Sequence, residues 1–341
     1  MSPGNVIEGL KLVALGGGTG LSTLLAGLKQ FVGRQDGGVG LESLSAIVTV
    51  SDDGGSSGRL REELQILPPG DIRNCMIALS EDSTLLSRLF RHRFRGSGDL
   101  GGHSFGNLFL AALAEVTGDF VEAVRLSSEV LASKGHIYPA TTTDVRLVAE
   151  LEDGREVHGE TQITGTSSPI RRLRLEPEHC LPLPETLEAI RAADMITIGP
   201  GSLYTSILPN LLVSKVADAI AQSEATKVFV TNLMTQPGET DGYDADRHLA
   251  TVREYAPQIR FDYMLLNDRP ITETQAALYA ADGAYQIRWD GEFSVDGNYG
   301  CEIVRTDLLE DGEMVRHDPA RLARAVVRCA EDAQMRMPLS V

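Results

Sequence analysis

The chain has 341 residues, of which 42% are apolar and 23% charged, a composition that fits a folded globular protein and excludes a disordered or fibrous one. Its 48 acidic and 31 basic residues leave a net charge of −17, which argues against nucleic acid or an anionic membrane as a partner but leaves room for a local phosphate pocket. The cysteines (Cys75, Cys180, Cys301 and Cys329) form neither a C-x-x-C pair nor a disulfide framework, and no apolar run approaches the ~18 residues of a membrane span, so the expected setting is the cytoplasm with reduced thiols.

Residues 11–15 (KLVAL) predict a strand that stops at glycine. Leu21, Leu24, Leu25 and Leu28 then recur at helical spacing. Residues 44–50 predict the next strand, and this β-α-β order implies parallel pairing. Helices are predicted at 71–80, 82–92, 104–116 and 119–132. Residues 145–151, 156–164 and 170–175 alternate polar with apolar between turns, which predicts an antiparallel insertion over 144–176, with Pro177, Pro182 and Pro184 at its exit. The α/β pattern resumes with strands at 195–198, 227–233 and 261–267 and helices around 209–222, 244–255, 272–281 and 318–333. The expected fold is α/β: one domain over residues 1–341, with a Rossmann-like, mostly parallel sheet and a small antiparallel β insertion. Such sheets bind ligands beyond the C-terminal ends of their strands.

Gly16-Gly17-Gly18-Thr19-Gly20 lies directly between a strand and a helix, where glycine lets the backbone approach a phosphate and the helix start offers unpaired N–H groups. Neither the dinucleotide fingerprint nor a Walker A lysine is present. Asp52-Asp53 at the next strand end could hold Mg²⁺ or bind ribose hydroxyls, and the residues after them, including Ser56, Ser57 and Arg59, suit an anion. In Pro68-Pro69-Gly70-Asp71-Ile72-Arg73-Asn74, Asp71 reads as a helix cap. Arg73 and Asn74 follow in the first turn, where a cation needs an anionic partner to offset the helix dipole.

Gly102-His103-Ser104-Phe105-Gly106-Asn107 matches G-x-S-x-G, but the preceding residues are glycines and charges rather than a buried strand. Ser104 therefore reads as an N-cap accepting a backbone N–H, with His103 and Asn107 as candidate ligand contacts. Gly199-Pro200-Gly201-Ser202 with Thr205 and Ser206 forms a second strand-to-helix loop suited to an anion. The segment after the next strand adds Asn232 and Thr235 for base or sugar hydrogen bonds. Two phosphate-type loops on one sheet suggest a diphosphate with two organic ends.

The strings GGGTGLSTLLAGLK, VSDDGGSSGRLR, PPGDIRNC, GHSFGNL, GPGSLYTSILPNLL and TNLMTQPGET closely resemble the YvcK-type gluconeogenesis factors of the CofD-like superfamily, over about residues 10–270. The resemblance implies a CofD-like fold, a cytoplasmic location and a role in cell shape and wall synthesis during growth on gluconeogenic carbon. It also implies binding of UDP-sugars such as UDP-N-acetylglucosamine, or of NAD. The CofD transferases, which handle 2-phospho-lactate in deazaflavin cofactor synthesis, are similar at Gly17-Gly18-Thr19-Gly20, Asp52-Asp53 and Gly199-Pro200. After Asp52-Asp53 they carry bulkier, aromatic-containing sequence where this chain has Gly-Gly-Ser-Ser-Gly.

The expected function is a nucleotide-sugar- or dinucleotide-binding regulator, with a CofD-like transferase as the alternative. Gly16–Gly20 and Gly199–Ser206 would hold the diphosphate. Asp52 or Asp53 would take ribose or Mg²⁺, and Arg59, Arg73 and Asn232 would contact phosphate or sugar. No residue set points to a resident metal or to an assigned catalytic group. A homo-oligomer and a cell-wall protein partner are further expectations.

Overall fold

A computed structural model describes residues 9–34, 39–81, 85–288 and 300–336. Seven strands form the main sheet: β1 (Leu10–Gly16), β2 (Leu41–Val48), β3 (His136–Pro139), β7 (Met195–Ile198), β8 (Thr226–Val230), β9 (Tyr263–Asn267) and β10 (Glu302–Thr306). Their order is β10-β9-β8-β7-β1-β2-β3, and every neighbouring pair is parallel. Three strands, β4 (Arg146–Leu151), β5 (Glu156–His158) and β6 (Ile170–Glu176), form the antiparallel insertion in the order β5-β4-β6.

The helices on the N-terminal side are α1 (Gly18–Leu28), α2 (Gly55–Leu64), α3 (Gly70–Leu79), α4 (Leu85–Arg91), α5 (Phe105–Thr117), α6 (Phe120–Val130) and α7 (Glu160–Thr164). On the C-terminal side are α8 (Pro184–Ala192), α9 (Leu208–Leu212), α10 (Val216–Gln222), α11 (Ala245–Tyr255), α12 (Glu273–Ala281) and α13 (Pro319–Arg336).

Alternation along β1 feeds two cores. Leu10, Leu12 and Ala14 pack with residues of α1, α3 and α13, whereas Val13 and Leu15 pack with α8, α9 and α10 and with the insertion's Leu147, Ala149 and Leu173. A strand covered on both faces reads as the continuous apolar run seen in the sequence. The chain moves outward from β1 to β2 and β3, then returns to the other side of β1 at β7. The β1/β7 boundary is therefore a topological switch point, where the following loops diverge and leave a crevice.

Several predicted elements differ from those observed. Only Glu156–His158 of the 156–164 segment is strand, because Gly159 turns the chain at φ +88° and residues 160–164 wind into α7. The helix predicted at 209–222 is broken at Val213–Lys215, with Lys215 in the left-handed region, and a π-helical turn at Leu203–Ile207 precedes α9. Residues 82–84 of the helix predicted at 82–92 lie outside the described residues, and α4 covers Leu85–Arg91 of the remainder. The observed α2, α8, β3 and β10 were not among the predicted elements. β3 ends in Pro139, which an edge position tolerates because no ladder bond is lost there. Among the described residues no helix is long and apolar enough to cross a membrane.

Candidate functional site

The two glycine loops follow adjacent strands, β1 and β7, at the switch point. They are packed directly on each other: a Cβ on Gly20 would lie 2.4 Å from the Pro200 carbonyl oxygen. Asn210 reinforces the seam by donating Nδ2 to the Gly16 carbonyl at 3.1 Å. Gly18 serves a different need, since its φ of +60° lies in the left-handed region and its side facing Ser206 is open.

Together the loops open on one cavity of about 740 Å³. Gly17, Gly18, Thr19, Gly20, Pro200, Gly201, Ser202, Ser206, Asn232 and Thr235 all line it. So do Tyr279, Arg316 and His317 from the C-terminal third of the chain. The size falls within the usual range for small-molecule sites. The Thr19 and Gly20 amides belong to the first turn of α1, where a helix offers its N–H groups no internal acceptor. They are the natural phosphate contacts of the first loop.

Four acidic residues that sequence reasoning did not select as site residues line the same cavity: Asp71, Glu160, Glu239 and Asp282. Asp71 is the second residue of α3, which begins at Gly70, so it is not the cap predicted for it. Its carboxylate accepts the Gly18 N–H, and burial together with nearby Asp52 raises it to about 6. Glu239 is 4% exposed and accepts from the Tyr204 N–H and the Thr205 hydroxyl, each at 3.3 Å, and burial raises it to about 7. Glu160, carried into the cavity by α7, is raised to about 9 by burial and then by Asp52, Asp71, Glu239 and Asp53. The helix start after β7 is thus already supplied with an anion by the protein. The Gly201 N–H is also taken, donated to Asn232 Oδ1 at 3.0 Å.

The remaining sequence candidates gather beside the cavity instead of lining it. Asp53 accepts from the Thr161 N–H at 2.9 Å and from its hydroxyl at 2.7 Å, which ties α7 to the β2 end. Asp52 accepts the Gly54 N–H at 2.8 Å, and its other oxygen abuts Gly70 next to Asp71. Ser57 likewise packs on Gly70. Ser56 receives Asn107 Nδ2 at 3.1 Å and contacts His103 Nδ1 at 3.0 Å. Arg73, 7% exposed, donates to Asn107 at 2.9 Å and to Asn74 at 2.6 Å. Burial and neighbouring Arg93 lower Arg73 to about 10, against the pull of Asp71 and Asp52, the anionic partners its helix position called for. Arg59 donates to the Gly101 carbonyl at 2.8 Å.

This second group is a buried polar network joining α2, α3 and α5. Ser104 sits at the N-cap position of α5 but makes no side-chain cap bond; its hydroxyl donates to the Phe90 carbonyl at 3.2 Å. Among the described residues no group of three or more His, Cys, Asp or Glu side chains is placed to hold a metal.

A family model described as 2-phospho-L-lactate transferase CofD matches residues 12–309. The chain belongs to the CofD family, the class that this switch-point cavity and its two glycine loops define. Within that class it is a member of the gluconeogenesis-factor family. It is 46% identical over 316 residues to the gluconeogenesis factor of Halalkalibacterium halodurans, covering 93% of this chain and 95% of that protein. It is 45% identical over 318 residues to the gluconeogenesis factor of Bacillus subtilis, covering 93% and 97%. The crystal structure of a protein from Bacillus halodurans superposes with a TM-score of 0.87 at 45% identity, covering 94% of this chain and all (100%) of that one. A second crystal structure of that same protein, described as a member of the UPF0052 family, gives a TM-score of 0.86 at 45% identity, covering 93% and 98%.

Proposed function

We propose that the chain binds a nucleotide-sugar such as UDP-N-acetylglucosamine, or a dinucleotide such as NAD, and acts as a regulator rather than through turnover. The observation that carries this reading is the single cavity of about 740 Å³ shared by both glycine loops at the switch point. The diphosphate belongs against the Thr19 and Gly20 amides, with one organic end toward Tyr279, Arg316 and His317. The Gly201–Ser206 side, whose amides are engaged by Asn232 and Glu239, offers side-chain contacts to the other end.

The regulatory setting is the control of cell shape and wall synthesis in the cytoplasm that the family resemblance implies, exerted as a homo-oligomer on a cell-wall protein partner. The alternative is a CofD-like transfer from a nucleoside-diphosphate-activated substrate. It is favoured by the approach of Asp52 to Asp71 at the mouth of the first loop. Should Mg²⁺ accompany the diphosphate, this pair and the ligand's own phosphate oxygens would be its ligands, because Asp53 is held by Thr161.

A thermal melt tests the binding reading. UDP-N-acetylglucosamine or NAD should raise the melting temperature by mass action, and a flat response at millimolar concentration contradicts it. Release of a nucleoside phosphate from the bound ligand would favour the transferase.

A further inference from the structure

A second cavity, of about 200 Å³, lies at the β10 edge of the main sheet, between β10 and one stripe of α13. It shares no lining residue with the switch-point cavity. Arg305 lines it from β10, and Arg321, Arg324 and Arg328 line it from α13, where the i, i+3, i+7 spacing puts them on one helix face. Ala325 belongs to the same stripe and is too small to fill the space. Among the described residues the lining holds one acid, Asp307, and it is committed: it accepts Arg321 Nη1 at 2.7 Å and lies 3.5 Å from Arg269. Asp311 pairs with the same two arginines, 2.8 Å from Arg269 and 3.3 Å from Arg321, so these two acids and two bases balance. Arg336 of α13 is taken by Glu302 and Asp332, each at 2.7 Å. Arg305, Arg324 and Arg328 have no ion pair or hydrogen bond among the described residues.

Three uncompensated positive charges thus surround one small cavity, in a chain whose 48 acids outnumber its 31 bases. Arg324 and Arg328 stand at i and i+4, where like charges destabilise a helix. The chain pairs Arg269, Arg321 and Arg336 with its own carboxylates and leaves these three open, which fits an anion supplied from outside. Guanidinium forks match the oxygens of a phosphate, and such charge-assisted bonds are the stronger kind. The cavity is smaller than the ~300 Å³ at which sites for whole small molecules begin, so it suits one compact group and not a nucleotide.

We propose that this cavity is a second anion site, in which Arg305, Arg324 and Arg328 hold a single phosphate dianion, either free or as a monoester whose organic part stays outside. Arg321, fixed by Asp307 and the Leu309 carbonyl, forms a wall of the site. The proposal is independent of the nucleotide reading, since the two cavities have separate linings.

Thermal melts and calorimetric titration of the full chain test it, at constant ionic strength and about pH 7.5, where a phosphate monoester is mainly dianionic. The probes are inorganic phosphate, glucose 6-phosphate and malonate. Phosphate should raise the melting temperature of the parent by mass action. The double variant Arg324→Gln, Arg328→Gln should bind phosphate about tenfold or more weakly, as lost bonds between charged groups do. In chloride alone its melting temperature should equal or exceed that of the parent, because a like-charge pair is removed. Glucose 6-phosphate binding tighter than phosphate makes an organic monoester the natural occupant, and equal binding makes it the phosphate group by itself. Phosphate affinity unchanged in the double variant overturns the proposal, because the ion then sits elsewhere. So do a parent protein that fails to bind phosphate and glucose 6-phosphate at millimolar concentration, malonate binding tighter than phosphate, and a double variant that melts lower than the parent in chloride.

Discussion

Gly20→Ala sets two opposite effects against each other at the seam between the glycine loops. Gly20 lies inside α1, and in an open helix Ala in place of Gly adds about 1 kcal/mol of stability. Here the new Cβ would stand 2.4 Å from the Pro200 oxygen, 2.6 Å from its carbonyl carbon and 2.9 Å from Gly201 Cα. All three are backbone atoms, so no side-chain rotation relieves the contact and the loops must part. Overpacking of this kind costs about 1–3 kcal/mol, and contacts this short belong at the upper end, so the net expectation is a loss of about 2 kcal/mol. Urea melts of parent and variant at constant slope measure it. Nucleotide binding should weaken with it, because the cavity is built from both loops. Gly18→Ala provides the contrast: it costs about 1–2 kcal/mol through its left-handed backbone alone, with its nearest contact, Ser206 Oγ, at 3.7 Å. A Gly20→Ala protein more stable than the parent would refute the description of the seam.

Two further expectations concern buried polar groups. Burial holds Glu239 near 7, above its ordinary 4.5, so the folded state favours the protonated form. Its contribution is intact below the ordinary value and is lost as pH rises through 7, by about 3 kcal/mol in all. Glu239→Gln lacks this loss, so its stability relative to the parent should rise between about pH 5 and about pH 8, and a pH-independent difference would count against the burial argument. Ser104→Ala should cost about 1 kcal/mol by removing the donor to the Phe90 carbonyl, and the parent should not be labelled at Ser104 by a fluorophosphonate. Labelling there would show that the G-x-S-x-G match marks a nucleophilic serine, as in the α/β-hydrolases that carry this motif.

The β1 strand, the glycine loop and α1 were legible because an apolar run, a glycine cluster and leucines at helical spacing all point to one β-loop-α unit. The cavity's acidic lining was not. Asp71 carries the ordinary signature of a helix cap, and its approach to Gly18 depends on α3 packing against α1. Glu239 stood within the segment that resembled the family, yet only the fold shows that it faces the helix start after β7. Glu160 lay in a predicted strand, and the glycine that turns the chain into α7 is the signal that could have placed it. In the opposite direction, Ser56, Arg73, His103 and Asn107 are the polar, hydrogen-bonding types that ligand sites use. Burial and mutual hydrogen bonding, which a linear sequence does not display, make them a network outside the cavity lining.

The central claim is that one nucleotide ligand occupies the cavity between the two glycine loops. Native mass spectrometry of freshly purified protein, before and after addition of UDP-N-acetylglucosamine or NAD, tests it most directly. The account predicts one bound nucleotide per chain, carried from the cell or taken up on addition, and lost in Gly20→Ala. A parent protein that stays at its bare mass with both compounds at millimolar concentration would contradict it.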